Sequence, residues 1–207
     1  AARELAEQGI KNIALCFLHS YRFNAHEKQA KEWIRAEFPD IYLIASSDLW
    51  PQQREYERCL VSVINAYVGA RMRDCFSSLK KKTENTGLLT RIFSTKSNGG
   101  VMGLKGAGER PVDTLLSGPA SGVTGAFYIG QAIGETKIIT LDMGGTSVDI
   151  SIVDGAMPYS NENTVGEYPI SMPAVDVSAI GAGGGSVAWL DPEGMLKVGP
   201  RSAGARP

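Results

Sequence analysis

Residues 137–154 read KIITLDMGGTSVDISIVD, and the fold turns on how they are read. Two apolar runs, 138–141 and 148–153, flank Gly144-Gly145-Thr146-Ser147. The second run alternates, with Val148, Ile150 and Ile152 on one face and Asp149, Ser151 and Val153 on the other. Alternation beside a glycine pair is the pattern of a β-hairpin with one face in a core. That core face is expected to be the one carrying Val148, Ile150 and Ile152. Asp142 ends the first run and Asp149 follows the turn. Glycines let backbone N–H groups approach an anion closely, and successive N–H groups in such a turn form a concave anion site. A carboxylate beside it can hold a hydrated divalent cation or orient a water. An ordinary hairpin turn uses many of the same letters, so the stretch alone leaves both readings open.

Upstream of the hairpin, residues 117–133 form a helical pattern with Pro119 in the first turn and Ser117 or Gly118 as the cap. Gly118, Gly122, Ala126 and Gly130 recur every fourth residue, which leaves one face nearly bare. Each interior glycine costs about 0.5–1 kcal/mol relative to alanine. A helix that carries this penalty is expected to be approached closely by another backbone. Downstream come a loop-rich stretch with a short strand near 167–170, then residues 175–180 (VDVSAI) and the loop Gly181-Ala182-Gly183-Gly184-Gly185-Ser186. A hairpin is expected at 187–190 and 195–198, around Asp191-Pro192-Glu193-Gly194. The amides of Gly183, Gly184, Gly185 and Ser186 suit a phosphate or substrate, or the loop is a plain connection.

The front of the chain is richer in helix. The apolar run 13–18 (IALCFL) predicts a strand covered on both faces. Asn24 with Glu27 three residues on has the form of a capping box. Ala30, Trp33, Ile34 and Phe38 then share a helical face that Pro39 ends. Residues 41–45 predict a second strand, so the unit is βαβ. A long helix follows over about 53–82, with Leu60, Ile64, Tyr67, Val68, Met72, Cys75, Phe76 and Leu79 as its apolar stripe. Residues 88–94 and 112–116 are expected as strands separated by a glycine-rich turn.

The 207 residues carry a net charge of −1, which gives no support to a nucleic-acid or membrane-surface partner. No apolar run approaches a membrane span, and there is no signal peptide pattern. Cys16, Cys59 and Cys75 lack metal-ligand spacing and read as reduced thiols of a cytoplasmic protein. His19 and His26 have no second ligand at metal spacing. Both ends read as cut, with residues 1–8 resembling the middle of a helix and 201–207 an unclosed loop. A site on this chain is therefore expected to be incomplete.

Asp-x-Gly-Gly-Thr closing a hairpin resembles the second phosphate motif of the actin, hexokinase and chaperone-ATPase superfamily. Further stretches resemble the hydantoinase A/5-oxoprolinase family, which includes large subunits of acetone and acetophenone carboxylases. They are Ser46-Ser47 with Pro51 and Arg54-Glu55-Tyr56-Glu57-Arg58, Ser97-Asn98-Gly99-Gly100, Leu116-Ser117-Gly118-Pro119-Ala120, residues 141–149, and 181–186 leading to LKVGPRSAG at 196–204. The resemblance implies an α/β fragment of an actin-like ATPase (ribonuclease H-like) fold, with a mixed sheet and β-hairpins. Residues 1–110 would end an N-terminal family domain, and 111–207 would begin the catalytic domain. The implied activity is ATP-dependent hydrolysis of a five-membered cyclic amide such as hydantoin, N-methylhydantoin or 5-oxoproline, as in hydantoin utilisation. Rivals are a ketone carboxylase subunit with the same phosphate chemistry, and a non-catalytic nucleotide switch. The implied cofactors are ATP and Mg²⁺. Backbone N–H groups of Gly144, Gly145 and Thr146 would grip phosphate, and the Thr146 and Ser147 hydroxyls would add hydrogen bonds. Asp142 would hold Mg²⁺-bound water or orient the nucleophile, with Asp149 in support. A hydantoinase B-type second subunit is the implied partner, and a homo-oligomer is possible. Two departures from the family pattern stand out: Val148 replaces a common Thr, and Ser178 stands where many members have His or Asn. The second puts the substrate class in doubt.

Overall fold

The computed structural model describes residues 1–88, 90–166 and 168–204. In chain order the elements are α1 (Ala2–Glu7), β1 (Asn12–Leu15), α2 (Ala25–Glu37), β2 (Tyr42–Ala45), α3 (Ser46–Leu49), α4 (Glu55–Asn85), β3 (Phe93–Thr95), β4 (Val101–Gly103) and α5 (Leu104–Glu109). A 3-10 turn at Pro111–Thr114 precedes α6 (Ser117–Ile133). Then follow β5 (Lys137–Met143), β6 (Val148–Asp154), β7 (Tyr159–Ser160), β8 (Asn163–Val165), β9 (Tyr168–Ile170), β10 (Ala174–Val175), β11 (Ser178–Ile180), β12 (Ser186–Leu190) and β13 (Leu196–Ser202). They form two compact units. The first is Ala1–Thr95, Val101–Leu115 and Asn161–Met172; the second is Lys96–Gly100, Leu116–Ser160 and residues 173–204.

In the first unit β1 and β2 pair in parallel, with α2 as the crossover, so the βαβ expectation holds. The strand at 13–18 is shorter than its apolar run: β1 stops at Leu15, and Leu18 is exposed. The cause lies in Glu27. Asn24 is the N-cap of α2, but its side chain makes no capping bond. Glu27 does not reach back to the cap either. Its carboxylate is fully buried and accepts from the Phe17 amide (2.7 Å), the Ser46 hydroxyl (2.7 Å) and the Ser47 amide (2.9 Å). Arg58 is equally buried, donating to Ser46 Oγ (3.0 Å), Phe17 O (2.7 Å) and Gln52 O (3.0 Å). Backbone groups that would extend β1 are thus bound to a buried charge network.

The innermost face of α4 is Arg58, Val61, Ser62, Asn65, Ala66 and Gly69; of the expected stripe Leu60, Ile64, Val68, Met72 and Phe76 are half-buried beside it, with Ile64 packed on the core, whereas Tyr67, Cys75 and Leu79 are exposed. Small residues win because Tyr42 packs directly against Gly69, and Asn65 donates to the Tyr42 hydroxyl (3.0 Å). Trp33 is likewise exposed on α2. The apolar core of this unit is Leu49, Val61, Val112 and Ile170. Val112 sits in the 3-10 turn rather than a strand, because Pro111 at its start lacks the N–H a ladder needs. The strand expected at 88–94 is only β3, paired with β4; Leu89 lies outside the described residues. Near 167–170 the strand is β9, paired with β8, and Glu167 is likewise not described.

The second unit is built on the hairpin. β5 and β6 pair from Lys137↔Asp154 to Met143↔Val148, and β11 adds antiparallel to β6. Directly opposed residues share a face, so Ile138/Val153, Thr140/Ser151 and Asp142/Asp149 point one way. That is the face α6 covers, through a core of Ala120, Val123, Val153 and Val175. The face expected in the core is mostly the open one: Val148 is buried, but Ile152 is 67% and Ile139 72% exposed. α6 explains the reversal. Its Ala120 and Val123 seat on Val153, while Ser151 satisfies its hydroxyl on Asp176 O (2.6 Å). The N-cap of α6 is Leu116, whose amide donates to Ser97 Oγ (3.0 Å), so neither Ser117 nor Gly118 caps it. Gly118, Gly122 and Gly125 have open space where a side chain would point, whereas Gly130 is packed against Ile138 and Glu135.

Candidate functional site

The site begins with the four residues between β5 and β6. The Gly144 amide donates to Ser147 O (2.9 Å), which closes the turn. The amides of Gly145, Thr146 and Ser147 donate to no protein acceptor among the described residues. Three successive unpaired N–H groups in a turn are the donor set of an anion site. Of the three amides expected to grip an anion, Gly144 is therefore already committed, and Ser147 takes its place among the free ones.

The GAGGGS loop is brought directly onto this turn. Gly184 N donates to Gly144 O (2.9 Å) and Gly185 N to Gly145 O (2.7 Å). Gly183 N donates to Ser186 Oγ (2.8 Å), and Ser186 N returns to Gly183 O (3.0 Å). All four amides proposed from sequence as anion donors are thus engaged inside the protein. The contact is backbone on backbone: a Cβ on Gly183 would lie 2.6 Å from Gly144 O and 2.7 Å from the Thr146 and Ser147 nitrogens. The end of β13 completes the stack, with Ala203 N donating to Gly185 O (2.8 Å) and Ser202 Oγ to Gly145 O (3.0 Å). Ser202 lies inside the stretch LKVGPRSAG that carried the family resemblance, but nothing in the sequence gave it a role of its own.

Asp142 and Asp149 sit across the hairpin from each other at the neck of the turn. Both line a cleft of ≈ 330 Å³, with Thr140 on the same wall and Pro119, Gly122 and Ala126 of α6 on the other. The bare face of α6 therefore keeps this space open over the carboxylates. Burial, and then the neighbouring Asp142 charge, push the Asp149 carboxyl above its ordinary value. A shared cation would relieve that repulsion. Among the described residues no group of three or more His, Cys, Asp and Glu converges on a metal site. Two carboxylates suit a cation that keeps most of its water, which is how Mg²⁺ is usually held. The donor set, free amides beside paired acids, thus fits a phosphate and a hydrated Mg²⁺. Ser178 lies exposed on β11, opposite Ile150. Among the described residues no helix is long and apolar enough to cross a membrane.

Comparison with known proteins bears on the same elements. A family model for hydantoinase/oxoprolinase matches residues 58–207, and one for the hydantoinase/oxoprolinase N-terminal region matches residues 1–38. The caprolactamase subunit alpha of Pseudomonas jessenii is 39% identical over 204 residues, 97% of this chain and 29% of that one. The crystal structure of ATP-dependent caprolactamase from that organism superposes with a TM-score of 0.81 at 36% identity, over 99% of this chain and 30% of that one. A nucleotide-free acetone carboxylase structure, from work on ATP-dependent acetone carboxylation, gives a TM-score of 0.85 at 30% identity, over 99% of this chain and 29% of that one. A 5-oxoprolinase from Pestalotiopsis fici is 34% identical over 215 residues, 98% of this chain and 15% of that one. The fold is accordingly the actin-like ATPase class expected from sequence, and the chain spans less than a third of each of these relatives.

Proposed function

The chain belongs to the hydantoinase/oxoprolinase family, and from that premise we propose that it is part of an ATP-dependent hydrolase of cyclic amides. The observation that carries this is the hairpin neck: free amides at Gly145, Thr146 and Ser147 beside the Asp142/Asp149 pair. Relatives named as a caprolactamase and a 5-oxoprolinase support the amide bond as the target. A five-membered ring such as hydantoin, N-methylhydantoin or 5-oxoproline is the substrate we favour.

ATP, when bound, would supply a phosphoryl group to the poorly reactive amide oxygen and so open the carbonyl carbon to water; the ring C–N bond is the one that breaks, its nitrogen leaving as the amine, and phosphate is released in the same hydrolysis. The three free amides would hold phosphate oxygens. Asp142 would hold the water shell of Mg²⁺ or orient a water, with Asp149 opposite it sharing that task. Gly183, Gly184, Gly185 and Ser186 act one layer back, pinning the turn through its carbonyls, which replaces the direct phosphate contact expected from sequence. We assign the protein to the cytoplasm, with a hydantoinase B-type subunit as its partner; relatives named as subunits of caprolactamase, acetone carboxylase and acetophenone carboxylase support a multi-subunit assembly.

The likeness to acetone carboxylase favours one second reading, in which the same phosphate chemistry activates a ketone. The deciding experiment measures ADP release by the intact protein with its partner subunit, given 5-oxoproline or hydantoin in one arm and acetone with bicarbonate in the other. Ring-opened product in the first arm supports the hydrolase; turnover confined to the second replaces it with the carboxylase. Nucleotide binding with product in neither arm favours a switch.

A further inference from the structure

Ser202 makes three contacts, and together they fix the proton positions at the turn. Its Oγ lies 3.0 Å from Gly145 O, 2.9 Å from the Gly204 amide and 3.3 Å from Thr146 Oγ1. A serine hydroxyl has one proton and two lone pairs. The carbonyl of Gly145 has no proton, so Ser202 donates there. The Gly204 amide fills one lone pair. With its one proton given to Gly145 O, Ser202 can bond to Thr146 only as acceptor, so Thr146 is the donor of that contact. The Thr146 proton is then directed at Ser202, which leaves only acceptor capacity on the Thr146 hydroxyl of an exposed side chain. This reverses the role expected from sequence, in which the Thr146 hydroxyl donates to phosphate.

We propose that Ser202 is a positioning residue that takes the Thr146 proton and so presents Thr146 Oγ1 as an acceptor, for a hydrated divalent cation rather than for a phosphate oxygen. The inference rests on the nucleotide reading of the hairpin. In this arrangement the amides of Gly145, Thr146 and Ser147 would meet the anion, and Thr146 Oγ1 at the turn, like the carboxylates of Asp142 and Asp149 at its neck, would accept from the cation's water. The Gly145 carbonyl, held by Ser202, keeps the turn in register.

The test compares ATP affinity with Mg²⁺ and in EDTA, by calorimetry on the intact protein, with Mn²⁺ binding followed by electron paramagnetic resonance. Ser202→Ala frees the Thr146 hydroxyl to rotate toward phosphate. Mg²⁺-dependent affinity should fall about tenfold, on the scale of one charge-assisted hydrogen bond, while affinity in EDTA stays level or rises. Ser202→Thr should restore the wild-type ratio, and Ser202→Ala should change nothing further in a Thr146→Val background. Equal losses with and without metal would reduce Ser202 to a structural brace and overturn the proposal, as would no change in either. Failure of the wild-type protein to bind ATP under any condition would instead remove the nucleotide reading, and this inference with it.

Discussion

Replacing Gly183 by alanine is the most direct test of the stacked glycine loops. The added Cβ would lie 2.6–2.7 Å from three backbone atoms of the turn, namely Gly144 O, Thr146 N and Ser147 N. Ordinary contacts of a methyl group begin near 3.4 Å, so the turn must move by roughly 0.7 Å. None of the three atoms belongs to a side chain that could swing aside. Overpacking of this kind destabilises by about 1–3 kcal/mol, and a chain of this size loses about 2–4 °C in melting midpoint per kcal/mol. The functional loss should be larger. A misplacement approaching 1 Å at a binding turn can cost about 10²-fold in rate. The same loop supplies the controls, because Gly181 has nothing within 4 Å and Gly184 has only an ordinary contact at 3.8 Å. Melting by calorimetry and ATP affinity in the intact protein should therefore rank Gly183→Ala far below Gly184→Ala and Gly181→Ala. If the three variants melt and bind alike, the two loops do not touch as described and the bracing role of GAGGGS is wrong.

Asp142→Asn removes the charge directly opposite Asp149, so the hairpin should gain about 0.2–1 kcal/mol while ATP-coupled turnover falls by roughly 10²-fold or more; equal turnover in a steady-state assay would remove Asp142 from the mechanism. Glu27 gives a pH signature. Burial alone would raise its pKa, but hydrogen bonds from Ser46, the Phe17 amide and Ser47 outweigh that and hold it below the ordinary value. Its stabilisation is therefore complete above the unfolded value of about 4.3 and lost as pH falls through the lower folded value. Glu27→Gln should cost about 1.5–3 kcal/mol near neutrality, the scale of hydrogen bonds to a charged group, and progressively less in acid, and a difference in urea midpoints that is flat from pH 7 to 3 would contradict this. On α6, Gly125→Ala meets open space and should stabilise the 207-residue chain by about 0.5–1 kcal/mol, whereas Gly130→Ala meets Ile138 and the Glu135 carbonyl and should destabilise it; thermal melts of the pair check the contrast.

The elements written in local signals were legible. Alternation and a glycine turn placed β5 and β6, and the helical pattern with Pro119 in its first turn placed α6 over 117–133, where the structure ends it on Gly134 in the left-handed region. What failed was whatever depends on partners distant in sequence. Periodicity shows that a strand has two faces, but not which one a helix will cover; here the aspartate and serine face was chosen because α6 seats on Val153. Glu27 has capping-box spacing, yet its partners Ser46 and Ser47 lie about 20 residues on. Arg58 reads as a charged helix residue and is wholly buried, since its carbonyl and hydroxyl acceptors come from three other segments. At the site, glycines and carboxylates could be found by motif. The spending of the GAGGGS amides on the turn, and the proton order at Ser202, needed coordinates.

Among the described residues β5 forms the margin of its sheet, with Ile139, Leu141 and Met143 all uncovered on one side. A strand whose rim offers unpaired peptide groups next to a greasy flank works like an adhesive strip. Prepared as a free polypeptide, this chain should clump as its concentration rises, and charged residues substituted at 139 and 141 should keep it dispersed.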